Sequence, residues 1–217
     1  ASVFHGFHYF VVGVTKRSYI LVHGITYKNQ GLFAIARMFN DLGGSPCYTH
    51  VDGAGEFNSE IAQGYFLHAN TSPVTIEAEH WRNGPAERAI GLLKGHANAC
   101  LHHADAPLNF WYLALPHVAL LLNVLRRARH PSGSGADSGK QLDMTVYEAH
   151  FGVRPSFASL VVGPFGCLAF VVLTPEQRSA RGFDKSWSPK AIAGMFVGVW
   201  HNARKNIFHY LMYDGTR

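Results

Sequence analysis

The tract His130-Pro131-Ser132-Gly133-Ser134-Gly135-Ala136-Asp137-Ser138-Gly139 places three serines, three glycines and one proline in ten residues. Such side chains bury almost no apolar surface, and glycine leaves the backbone maximally free, so the tract reads as a flexible linker. It predicts a first unit over 1–128, a linker over 129–142 and a second unit over 143–217.

The two sides of the tract carry different periodicities. Before it, Phe10 to Val14 and Tyr19 to Ile25 read as β-branched and aromatic strands separated by the polar Thr15-Lys16-Arg17-Ser18. A helix is expected from Gln30 to Leu42, with Leu32, Ile35, Ala36 and Phe39 on one face and Gly43-Gly44 as its stop. A strand over Cys47 to Asp52, a helix over Ser59 to His68 and a strand over Val74 to Glu79 follow. Gly84-Pro85 opens a further helix, because proline at the first helical position forgoes an N–H that has no partner there. Its expected apolar stripe is Ala86, Ile90, Leu93, Ala97 and Leu101, with Glu87, Lys94 and Asn98 along the edge. After the tract come short strands, Cys167 to Leu173, Ile192 to Trp200 and Phe208 to Tyr213, punctuated as in a small barrel whose core is expected to take Phe165 to Val172.

Composition narrows the function classes. The apolar fraction of 47% permits a substantial core, so disorder is not expected. A net charge of +5 with only 15% charged residues is a modest basic excess, compatible with a nucleic-acid partner. Cys47, Cys100 and Cys167 form no CxxC pair, which argues against a disulfide framework and a zinc knuckle and for a reducing compartment, nuclear or cytoplasmic and not secreted. Residues 1–14 carry no signal-peptide pattern. Leu108 to Leu125 is apolar enough to imitate a membrane span, but Asn109, Pro116, His117 and Asn123 interrupt it, so a buried helix broken at Pro116 is expected. Arg126, Arg127 and Arg129 are expected to cap its C-terminus. Neither a membrane nor a small-molecule substrate is expected as a partner.

Strand, helix, strand, helix order with Asp52 at a strand end and Glu87 at a helix edge is the outline of an RNase H-like mixed α/β domain, in which paired carboxylates hold two divalent metals for phosphodiester attack. On spacing alone, 35 positions apart, the two acids are equally compatible with solvated turn and helix residues. Resemblance adds more. Val51-Asp52-Gly53-Ala54-Gly55-Glu56-Phe57 resembles the SDNGGEF segment of retroelement integrases, and Asn83-Gly84-Pro85-Ala86-Glu87-Arg88 resembles their NGVAER segment. Phe110-Trp111 with Asn123, and Thr145 to Pro155, resemble segments peculiar to the Copia type of retrotransposon. Phe165 to Phe170 and Gly194 to Gly198 resemble strands of the SH3-like domain that follows the integrase core in Copia polyproteins.

The resemblance implies a DDE polynucleotidyl transferase whose three acids bind two magnesium or manganese ions and join element DNA to target DNA. Asp52 matches the second acid and Glu87 the third; at the first stands Thr15, or Val14 in the alternative register. Two dications about 4 Å apart repel by about 4 kcal/mol even at the dielectric constant of water. Three carboxylates nearly balance that charge, two do not, and a hydroxyl is a poor substitute for a hard cation. The catalytic set is therefore expected to be degenerate, and a metal-dependent joining enzyme competes with a non-catalytic DNA-binding remnant. Arg82, Asn83, Arg88, Lys94 and Asn98 surround Glu87 and are the expected phosphate contacts, with a merely solvated helix face as the other reading. DNA and further copies of the chain are the expected partners.

Overall fold

The computed structural model describes residues 6–52, 57–76, 84–129, 140–155, 163–183, 187–202 and 207–213. It is a mixed α/β architecture. Strands β1 (Tyr9–Val14) and β2 (Ile20–Ile25) form an antiparallel hairpin in which Val14 faces Ile20 and Tyr9 faces Ile25. Helix α1 (Gly31–Asp41) follows, burying Ile35, Met38 and Phe39. It stops as expected at Gly43, whose φ of 80° lets its own N–H and that of Gly44 turn back to the Asn40 and Phe39 carbonyls. Strand β3 (Tyr48–Asp52) pairs in parallel with β4 (Ser72–Ile76), and α2 (Glu60–His68) connects them. The Ser59 hydroxyl caps α2 by accepting the Ala62 N–H.

The mixed sheet of an RNase H-like domain would run continuously through these four strands; among the described residues β1–β2 and β3–β4 are separate two-stranded ladders. Helix α1 spans both: Met38 packs with Tyr19 and Leu21 of the hairpin, and Ile35 and Phe39 pack with Val51 of β3 and Phe66 of α2.

Helix α3 (Pro85–His103) starts at Pro85 as expected. Its buried stripe is Ala89, Leu93, Ala97 and Leu101. Ala86 and Ile90 are only half-buried, so the stripe is rotated toward Ala89, the position that meets the core shared with β1 and α4. Helix α4 (Trp111–Leu125), entered through a single 3-10 turn at Leu108–Phe110, runs unbroken through Pro116. Proline at the sixth helical position forgoes the bond to the Tyr112 carbonyl and crowds it, yet the helix continues, contrary to the expected break.

Residues 130–139 lie outside the described residues. On either side of them β5 (Arg127–Arg129) and β6 (Gln141–Thr145) pair antiparallel, so Arg129, Gln141 and Leu142, within the expected linker span, are strand residues. Helix α5 (Val146–Phe151) begins with a capping box, the Thr145 hydroxyl accepting the Glu148 N–H at 3.1 Å and the Glu148 carboxylate accepting the Thr145 N–H at 2.8 Å. Strand β7 (Leu168–Val172), helix α6 (Pro175–Ala180), strand β8 (Ala191–Asn202) and strand β9 (Ile207–Tyr213) complete the chain.

Strands β7, β8 and β9 make an open antiparallel sheet, and among the described residues there is no closed barrel. Phe165 is buried as expected, but Leu168, Phe170 and Val172 are 69%, 65% and 76% exposed. They are not barrel core, because β7 pairs only with β8 and none of the described strands closes over its outer face. The last sheet packs through β8 onto α4. Phe196 and Val199 join Leu120, Val124, Tyr19 and Tyr147 in one apolar cluster, while Val197 and Phe165 join Leu115, Val118 and Leu93 in another. The two expected units thus share their cores.

Candidate functional site

Asp52 is the last residue of β3, in register with Ile76, and its side chain lies outside the described residues. Its neighbour Val51 is 5% exposed against Ile35, Phe39, Phe57 and Phe66, which anchors the strand end. Glu87 is exposed in the first turn of α3, where the helix dipole favours an anion. Thr49, His50 and Val51, and Gly84, Ala86 and Arg88, line one opening of about 1800 Å³, of whose described lining residues Glu87 is not one.

Thr15, the position matched to the first acid, opens the hairpin turn. Its N–H donates to the Tyr19 carbonyl at 2.9 Å, its hydroxyl accepts the Tyr19 N–H at 3.2 Å, and its carbonyl accepts the Ser18 N–H. Ser18 completes the turn with φ of 65°. The Thr15 oxygen is therefore neutral and already engaged in holding the turn. Val14, the alternative position, is a ladder residue facing Ile20. Thr15 thus offers a cation no charge at this position. Among the described residues, which leave out the Asp52 side chain, no group of three His, Cys, Asp or Glu side chains comes together.

Of the expected phosphate contacts, Arg82 and Asn83 lie outside the described residues. Arg88, Lys94 and Asn98 are exposed on α3. Arg88 borders the opening, whereas Lys94 places its ammonium 5.8 Å from the Phe10 ring centroid and so covers β1. Of the arginines after α4, Arg126 takes the C-cap position, its backbone N–H donating to the Leu122 carbonyl at 3.1 Å, whereas Arg127 and Arg129 lie beyond the helix. The Arg126 guanidinium donates to the Ser18 carbonyl at 2.6 Å, and its burial lowers its pKa; Arg127 and Arg129 sit on β5, with Arg127 3.2 Å from the Asp143 carboxylate.

Two polar residues of α4 matter more than their pattern suggests. Asn123 is 2% exposed, and its amide accepts the Ile20 N–H and donates to the Ile20 carbonyl, both at 2.8 Å. Ile20 faces Val14 at a position where its own polar groups point away from β1, so Asn123 completes the outer edge of β2. His117 is also 2% exposed, lying among Phe165, Phe196 and Gly198 with its Nδ1 unpartnered among the described residues. Burial lowers its pKa to about 4. The only sequence signal for either was a polar side chain inside an apolar run.

No protein-family model and no curated protein matches the chain. Among solved structures it is similar to the catalytic core domain of HTLV-2 integrase in complex with magnesium. For the trimeric form the identity is 17%, covering 62% of this chain and 78% of that one, with a TM-score of 0.46. For the dimeric form the values are 20%, 62%, 77% and 0.45. It is likewise similar to the catalytic core domain of BIV integrase, at 18% identity, covering 66% of this chain and 85% of that one, with a TM-score of 0.47.

Proposed function

We propose that the chain is an RNase H-like integrase core of the Copia type that has lost strand-transfer chemistry and retains a DNA-facing surface. The observation that carries this reading is the fate of Thr15. At the strand end where the family pattern requires the first acid stands a neutral hydroxyl engaged by the Tyr19 N–H. The surroundings of Asp52 and Glu87 nevertheless border a common opening with Arg88 at its edge. Magnesium or manganese, the family's ions, would be held by Asp52 and Glu87, with the neutral Thr15 at the remaining position of the family's acid set. Exposed Arg88, Lys94 and Asn98 are suited to phosphate oxygens, which position a duplex without reading its sequence. The SH3-like assignment of 143–217, self-association, and a nuclear or cytoplasmic location belong to the same proposal.

The test incubates the purified full chain with labelled duplex ends and magnesium or manganese. No joined product is expected, while duplex binding should weaken steeply as salt rises and weaken further in Arg88→Ala with Lys94→Ala. Joining that disappears in Asp52→Asn would overturn the loss of chemistry. Absence of duplex binding at low salt would overturn the DNA-facing surface.

A further inference from the structure

The turn that carries Thr15 is gripped from the far side of the Ser/Gly-rich tract. The Arg17 guanidinium, on that turn, donates to the Ala149 carbonyl of α5, 132 positions away. Helix α5 ends at Gly152 with φ of 71°, so the Ala149 carbonyl belongs to the last turn, whose acceptors a helix leaves without partners of its own. One residue on, His150 lays its ring on Tyr19, with 4.8 Å between centroids and 18° between planes. Phe151 meets both rings edge-on, at 5.3 Å from Tyr19 and 4.7 Å from His150. Tyr19 is the residue whose N–H and carbonyl hold Thr15. Consecutive residues of α5 therefore hold two points of one turn.

The charges at this contact do not balance. Arg17 brings one guanidinium to the turn, and Arg126, donating to the Ser18 carbonyl, brings a second. Of the carboxylates on the packed elements, Glu148 of α5 is taken by the Thr145 N–H and by Arg154 at 3.6 Å, and Asp41 of α1 by His23 at 2.8 Å. Tyr19 and Tyr147 are kept neutral by burial, which raises the pKa of each. A proton on half-buried His150 adds a cation beside Arg17 where both carboxylates are already engaged. Burial, and then the Arg17 charge, accordingly hold the His150 ring below its ordinary pKa.

We propose that α5 is a latch on the Thr15 turn that protonation of His150 releases. Neutral His150 stacks on Tyr19 and leaves Arg17 on Ala149; protonated His150 turns out to water and drives Arg17 off. Arg17 is exposed, so water takes up its charge on release. Val146, Tyr147 and Ala149 stay buried and keep α5 in place, and the Ile20 N–H stays on Asn123. The undocked histidine titrates near 6.5 and the docked one lower, so the latch is closed above pH 6.5 and loosens as pH falls from there toward the docked value. What it frees is the end of β1, Val14 and Thr15, which borders the opening beside Asp52. The device is independent of the integrase reading.

The test is amide hydrogen exchange of the full chain followed by NMR at about pH 7.5 and about pH 5.5, each rate divided by its intrinsic rate at that pH. Protection of the Ser18 and Tyr19 amides should fall several-fold over this interval, to values below that of Ile20. His150→Phe keeps a ring on Tyr19 and takes no proton, and should abolish the fall. Arg17→Gln should move the midpoint of the His150 ring titration up toward 6.5. The two variants are independent, so either decides the matter if the other fails to fold. The proposal is overturned by any of four results: turn amides whose protection is the same at both pH values, turn amides that exchange in step with Ile20, a fall that persists in His150→Phe, or a His150 midpoint unmoved in Arg17→Gln.

Discussion

Helix α4 holds two buried polar side chains six residues apart, one on each of two partners, and they are solved in opposite ways. Asn123 meets the hairpin with both halves of its amide paired to Ile20. His117 meets the last sheet with Nδ1 unpartnered, against aromatic rings and Gly198, where an added Cβ would approach the His117 Cβ to 3.2 Å. Satisfied and unsatisfied polar burial differ by more than a hydrogen bond, since a stranded group forfeits its whole hydration. The hairpin side of α4 is therefore fixed by a specific polar match. The sheet side rests on apolar contact and is exposed to acid.

The largest expected effect comes from breaking the satisfied side. Asn123→Leu keeps the volume but strands the N–H and C=O of Ile20, and should lower the unfolding free energy by about 4 kcal/mol in urea titrations. Asn123→Leu with no measurable loss would mean that the match does not anchor the hairpin.

Acid should break the other side by somewhat less. The His117 pKa falls from 6.5 in the unfolded chain to about 4 in the fold, so its contribution is intact above pH 6.5 and is lost as pH drops from there toward 4. The total is on the order of 3 kcal/mol. Near His117 the packed groups from β8 and the preceding segment are Phe196, Gly198 and Phe165, none of them charged. His150, lowered by burial and by Arg17, adds in the same direction from α5. His117→Leu should flatten this acid limb without abolishing it, and an unchanged pH profile would refute the role of His117.

The smallest expected effect sets the scale for purely local polar pairing. Thr145→Ala removes one half of the α5 capping box and should cost about 1 kcal/mol, measured by the same titration. A loss as large as that of Asn123→Leu would show that short-range caps and the long-range match are not different in kind.

What could be read from the sequence follows this same division. Ser59 before α2, Pro85 at the head of α3 and Gly43 after α1 are local signals, and the structure uses each of them locally. Asp52 at a strand end and Glu87 in a first helical turn were legible for the same reason. The capping boxes at Thr145 and Glu148, and at Thr174 and Gln177, carry a readable spacing, yet neither α5 nor α6 is among the helices expected from the sequence. No spacing encodes the contact of Asn123 with Ile20, which are 103 positions apart, nor that of Arg126 with Ser18. Whether two hydrophobic ladders merge is equally a matter of edges and not of patterns, so the gap between β1 and β3 had no signature. The exposed face of β7 was misread because alternating apolar residues announce a strand without announcing what covers it.

Because Tyr19, Leu120, Tyr147 and Phe196 belong to one cluster, the Ser/Gly-rich tract divides the primary chain without dividing this apolar cluster. Damage sustained on either side of it is inherited by the other. A replacement that shrinks Phe196 would loosen the hairpin on which Thr15 sits, so the segments on the two sides of residues 130–139 stand or melt together.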